Sequence, residues 1–236
     1  MLLRLLLPAA TAALIGGLAA VERKGALQLM LSRPLVLAPL MGWALGDPAG
    51  GLLLGVPLEM LFLGGVNLGG NLPDNESLLA AALTAMVVPA GVAAHTGVDA
   101  PLAALGLALL LPLAIFGRRL ERASELRNLQ LLDDAMARAA HGDPDPARGH
   151  LRGLLLPFGA SAGICALAVL ISPVLAWLRT NARFTFVSGL EAGWHAIWAV
   201  AAACAIRAIR DHRAAPLAAA SAAAALAVSL AVRGLG

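Results

Sequence analysis

The sequence predicts an all-α, polytopic membrane protein. Three observations carry that prediction. Of 236 residues, 60% are hydrophobic and only 13% charged, whereas a soluble domain carries about 25% charged residues. The apolar residues gather into runs long enough to cross a ~30 Å hydrocarbon core. Glycine (25 residues) and alanine are abundant in those runs, and small residues let helices pack closely in lipid. The expected architecture is about six transmembrane helices, a re-entrant pair of half-helices and one cytoplasmic amphipathic helix. Collagen, disulfide scaffolds, disorder and nucleic-acid partners are excluded. The net charge of +3 comes from basic residues in loops between apolar runs. Cys165 and Cys204 each lie inside an apolar run, so both are expected to be packed, reduced thiols without metal spacing.

Leu5 to Val21 is the first run, ended by Glu22-Arg23-Lys24. It fits a retained helix, with a secretory signal peptide as the other reading. Leu35–Leu45 follows, roughly 16 Å long as a helix and half of what a span needs. Gly46-Asp47-Pro48 breaks it, and Gly51–Leu63 forms a second short piece. Two half-length pieces joined by a polar break read as a re-entrant hairpin, tolerated at membrane depth only against protein or a watery cavity. Ser77–Ala94 and Leu102–Phe116 are further spans, separated by the polar turn His95–Asp99. Gly117–Arg152 is charged and reads as an amphipathic helix followed by a loop at Gly142-Asp143-Pro144-Asp145-Pro146. Leu154–Leu178, Leu190–Ile209 and the alanine-rich Ala214–Val232 complete the set. The chain thus divides into residues 1–116, 117–152 and 153–236.

Basic residues set orientation. With Gly117–Arg152 inside and Leu35–Gly70 returning to its own side, thirteen basic residues lie inside. Four (Arg4, Arg179, Arg183, Arg233) lie outside. Both termini are then expected outside. An ordinary span over Leu35–Gly70 would reverse the first basic cluster, so the charge count favours the hairpin.

Acids are few before residue 117, and Asp47 and Glu59 fall within or between the half-helices. An ionisable group at membrane depth costs about 2.5–3.5 kcal/mol on insertion scales and marks a pathway or a partner. Gly51, Gly55 and Glu59 recur every four residues, on one helical face. Asn67, Asn71 and Asp74 follow in a glycine-rich loop. Carboxylates and amides of this kind suit a polyol, whose neighbouring hydroxyls they can hold. Each has a structural alternative. Glu59 can pair with Arg33 or cap a broken helix, Asp47 can cap the helix after Pro48, and Asp74 can cap the helix after it. His95 reads as a solvated loop residue and His195 as a satisfied core or interface histidine. Trp177, Trp194 and Trp198 fit an interfacial belt. The arginines of Glu121–Arg138 form mostly a solvated face. No phosphate-binding loop, nucleotide fingerprint or nucleophile–base arrangement is visible, so no cofactor is expected and the chain is not expected to be catalytic alone.

Ser32-Arg33-Pro34-Leu35, Leu45-Gly46-Asp47, Gly51-x3-Gly55-x3-Glu59-Met60, Asn67-Leu68-Gly69 and Pro73-Asp74 occur in that order. This series resembles the membrane component IIC of the mannose/fructose/sorbose type of bacterial sugar phosphotransferase system. The dense match covers about residues 22–90, and beyond it the agreement is in hydropathy and length. The loop Asn71-Leu72-Pro73-Asp74 is one residue shorter than the family's usual form. The resemblance implies a multi-pass protein of the bacterial cytoplasmic membrane that binds a hexose near the midplane. It implies work in an oligomer with a IID membrane subunit and soluble IIA and IIB phosphocarriers, with phospho-IIB supplying the phosphoryl group. The implied binding residues are Glu59, Asn67, Asp74, Asp47 and Asn71. Two other classes stay open: an ion-coupled secondary transporter using Asp47 and Glu59, and a non-transporting relative with an assembly or regulatory role.

Overall fold

The computed structural model describes residues 2–25, 27–64, 72, 74–141, 145–209, 216 and 218–219. Among the described residues there are eight helices and no strand: α1 (Leu2–Lys24), α2 (Pro34–Leu45), α3 (Pro48–Phe62), α4 (Glu76–Ala94), α5 (Ala100–Leu110), α6 (Pro112–Ala140), α7 (Pro146–Asn181) and α8 (Phe184–Ile209). Five stretches are long and apolar enough to cross a membrane. They are Leu5–Lys24, Glu76–Ala94, Ala100–Ala140, Ala147–Asn181 and Phe184–Ile209. The sixth expected span, Ala214–Val232, lies almost wholly outside the described residues.

Helix α4 is the centre of the bundle. It is buried nearly from end to end, with Leu79, Leu83 and Val87 fully enclosed, and α1, α2, α3, α5, α6 and α7 all pack against it. Lipid tails are as apolar as leucine, so close approach of small residues holds such a bundle. Gly16 of α1 sits on Cys165 of α7, and a Cβ at Gly17 would lie 2.7 Å from the Phe158 ring. Cys165 is buried and reduced, as its apolar run implied. The outer faces of α1, α7 and α8 stay apolar and exposed, as surfaces turned to lipid do.

The two half-helices form an antiparallel pair. Pro34 and Pro48 each open one of them, where a missing N–H costs nothing. Gly46 ends α2 with φ +99, a left-handed turn that favours glycine. Gly51 lies against the Ala38 carbonyl and Gly55 against that of Pro34; a Cβ at Gly55 would sit 2.5 Å from the latter oxygen. The glycine spacing therefore serves the contact between α2 and α3. The connection into the hairpin passes beside Glu22 and Arg23, while Gly50 at its tip meets Val98 in the α4–α5 turn. It thus reaches across most of the bundle's depth.

The charged segment after residue 117 is no separate surface helix. Leu111 keeps helical geometry between α5 and α6, and α6 runs from Pro112 through Ala140 without a break at Gly117. The stretch of 41 residues is about 61 Å long, roughly twice the hydrocarbon core. Its far half packs against the start of α7, forming a two-helix projection at the Arg23 end.

Candidate functional site

Glu59 sits three residues before the end of α3, at the open mouth of the hairpin. Its side chain is 16% exposed. One carboxylate oxygen lies 3.5 Å from Arg33 Nη1, and the other accepts the Leu35 N–H at 3.4 Å. The Arg33 pairing named as an alternative is therefore present. Both contacts are long, and a carboxylate has about four lone-pair sites. Acceptor capacity remains for a ligand.

Asp47 lies at the other end of α3. Its Oδ1 accepts the Gly50 N–H at 2.7 Å, which caps the helix. Twelve residues at 1.5 Å each separate it from Glu59 by about 18 Å. One hexose cannot reach both carboxylates. Asp74 does not cap α4; Asn75 does, through Oδ1 and the Leu78 N–H at 2.8 Å. Asp74, one residue earlier, instead accepts from Arg118 Nη2 at 2.5 Å. Asn67 and Asn71 lie outside the described residues.

The structure also assembles a polar group that the sequence left scattered. Arg23 of α1 bonds Glu76 of α4 at 2.6 Å and Glu121 of α6 at 2.9 Å. The same Glu121 oxygen accepts from Asn75 Nδ2 at 2.9 Å, and Arg23 also donates to Ser77 Oγ. Glu121 is only 6% exposed. It belongs to the interior, at the start of the segment whose arginines read as mostly a solvated face. Glu22 is equally enclosed and accepts the Ser32 N–H at 3.0 Å, tying the connection into α2 back onto α1. These groups border an open cleft of about 400 Å³ that also takes in Lys24, Arg33 and Leu72. Gln28 and Met30 on its rim, with Leu27, hold positive φ values of 48, 61 and 64. Non-glycine residues in that conformation store strain, and such strain clusters at ligand clamps.

The remaining candidates fall elsewhere. His95 ends α4 as an exposed residue at φ 57, and exposed His195 bonds the Glu191 carbonyl on its own helix at 2.8 Å. Trp177 is exposed, as a belt residue should be. Trp194 is buried in the core, so its neighbours and not the lipid interface fix it.

Comparison with known proteins bears on this arrangement. A family model described as the sorbose-specific IIC component of the PTS system matches residues 6–235. The chain belongs to that family. It is 33% identical over 91 residues to the mannose-specific EIIC component of Escherichia coli K12, covering 39% of this chain. The same component of Shigella flexneri matches equally. The aligned stretch spans 31% of the length of these curated relatives. Two solved structures share the fold over 99% of this chain and 92% of theirs, each at 24% identity. One, described as a membrane protein, gives a TM-score of 0.66. The other, the mannose transporter ManYZ in complex with microcin E492, gives 0.54. The IIC chain is thus a multi-pass protein of the bacterial cytoplasmic membrane and a mannose-type phosphotransferase membrane component.

Proposed function

We propose that this chain is the sugar-translocating subunit of a mannose-type phosphotransferase system. It binds a hexose at the mouth of the α2–α3 hairpin and presents it for phosphorylation by phospho-IIB during import. The observation that carries the reading is Glu59: a carboxylate with spare acceptor capacity, 3.5 Å from Arg33, which itself lines a polar cleft, in a chain matched to the family over residues 6–235. Asn67, Asn71 and Asp74, which follow Glu59 in the sequence, complete the binding group in this reading. Asp47 acts as the cap that sets the hairpin tip. The chain works with a IID membrane subunit, as the ManYZ pairing of the fold relative suggests, and with soluble IIA and IIB.

The ion-coupled alternative has weaker support, because Asp47 and Glu59 stand about 18 Å apart along one helix and share no cation. Uptake into vesicles separates the two. With IIA, IIB, IID and the general phosphotransferase proteins, uptake of hexose should require phosphoenolpyruvate and deliver sugar phosphate. The chain alone, given phosphoenolpyruvate and only the general proteins, should make none. Uptake driven by an ion gradient without phosphoenolpyruvate would overturn the proposal.

A further inference from the structure

Three arginines stand together where α6 leaves the bundle. Arg118, Arg119 and Arg122 are spaced so that the third is one turn beyond the first two. With Leu72 and Glu125 they line an open cavity of about 460 Å³, which adjoins the cleft lined by Arg23 and Arg33 and shares Leu72 and Glu125 with it. Their charges are poorly balanced. Arg118 gives one nitrogen to Asp74, and its Nε is buried with no hydrogen-bond partner. Among the described residues Arg119 and Arg122 make no ion pair, and Glu125 pairs with Lys24 at 3.3 Å. Three guanidinium groups therefore face a cavity whose one carboxylate is already engaged.

A guanidinium fork matches the oxygens of a phosphate two at a time, and clusters of them recognise phosphate esters. We infer that Arg118, Arg119 and Arg122 form a phosphate-ester site. Its position bears on the ligand. Arg118 holds Asp74, a residue assigned above to the sugar, so a hexose held there that has gained a phosphoryl group finds three cations nearby. This part rests on the proposed sugar function. The same arginines also follow directly on the apolar run ending at Phe116, the level of phospholipid headgroups, where basic pockets between helices bind anionic lipids. Both sources share the phosphate chemistry.

Calorimetric titration of the purified full chain in neutral detergent tests the site and its source. The probes are mannose 6-phosphate, inorganic phosphate, dihexanoyl phosphatidylglycerol and free mannose. The double variant R119Q/R122Q should weaken phosphate-ester binding at least tenfold. Its thermal midpoint should not move, because both side chains are exposed. R127Q, on the same helix but not among the residues lining the cavity, should change nothing. Tighter binding of mannose 6-phosphate than of the phospholipid supports a product site, and the reverse order supports a headgroup site. Equal affinity of every phosphate probe for the wild-type chain and for R119Q/R122Q overturns the inference. In that case intact binding of free mannose leaves the sugar reading standing. Failure of the wild-type chain to bind free mannose strikes the sugar reading instead, and phosphate binding that depends on Arg119 and Arg122 then supports the site alone.

Discussion

Glu59 and Asp47 are two acids on one short helix with different surroundings, and their variants should separate accordingly. Glu59 makes two long contacts and keeps room for hydroxyl donors. A hydrogen bond to a charged group is worth roughly 1.5–3 kcal/mol. Glu59→Gln keeps the shape and removes the charge, so hexose affinity should fall about ten- to a hundredfold at ~1.4 kcal/mol per decade. The fold should survive, because the Arg33 left behind is 42% exposed and stays hydrated. Asp47→Ala makes the opposite forecast. It removes the cap on the Gly50 N–H, at a cost of about 1 kcal/mol. The thermal midpoint should drop, Asp47→Ser should restore most of it, and sugar affinity should hold. Titration of hexose into monodisperse protein, beside thermal unfolding in detergent, reads both effects. Unchanged affinity in well-folded Glu59→Gln would leave that carboxylate as a partner for Arg33 only.

At the scale of elements, the hairpin was legible in the sequence because its determinants are local. Two runs too short to span, the Gly-Asp-Pro break and glycines at four-residue spacing all act between near neighbours. Those glycines set how closely α2 and α3 approach. A Cβ at Gly51 would collide with the Ala38 backbone, which cannot swing aside as a side chain end can. Overpacking of that kind costs about 1–3 kcal/mol. Gly51→Ala should therefore lower the thermal midpoint and broaden the elution peak. Gly159→Ala, at an exposed helical position with nothing within 4 Å, should be neutral or stabilising. Equal behaviour of the two variants would remove close packing as the reason for the glycine spacing. Other elements were read less well, for a physical reason. Composition changes sharply at Gly117, and the change looks like a boundary. Arginine, leucine, glutamate and alanine are all good helix formers, so the backbone passes through without noticing. The Arg23 network was hidden for a different reason. Its partners lie 53 and 98 residues away in sequence, and no local pattern encodes such a pairing.

Across the whole molecule, ion pairs gather at two opposite ends. At one, Arg23, Lys24, Glu76, Glu121 and Glu125 join α1, α4 and α6. At the other, Arg179 at the end of α7 grips Asp99 at the start of α5, with its shortest contact at 2.7 Å. Charges are costly within hydrocarbon, so the two groups mark two membrane surfaces. The end of α1 and the start of α4 then share one surface, which requires the chain between them to return to the side it left. Alternation through α4, α5 and α7 carries the α6–α7 projection to the Arg23 surface. Among the described residues, eleven of fourteen Lys and Arg fall on that side by the same alternation, and the excess of Lys and Arg near spans faces the cytoplasm. A cysteine at Ala140, on the exposed tip of the projection, should therefore react with an impermeant maleimide only after the cells are opened. A cysteine at Thr96, in the exposed turn between α4 and α5, should react in intact cells. Cys165 and Cys204 are replaced by alanine beforehand so that each label reports one position. The reverse pattern would invert the orientation. Labelling of both positions from one side would break the alternation through α4, α5 and α6.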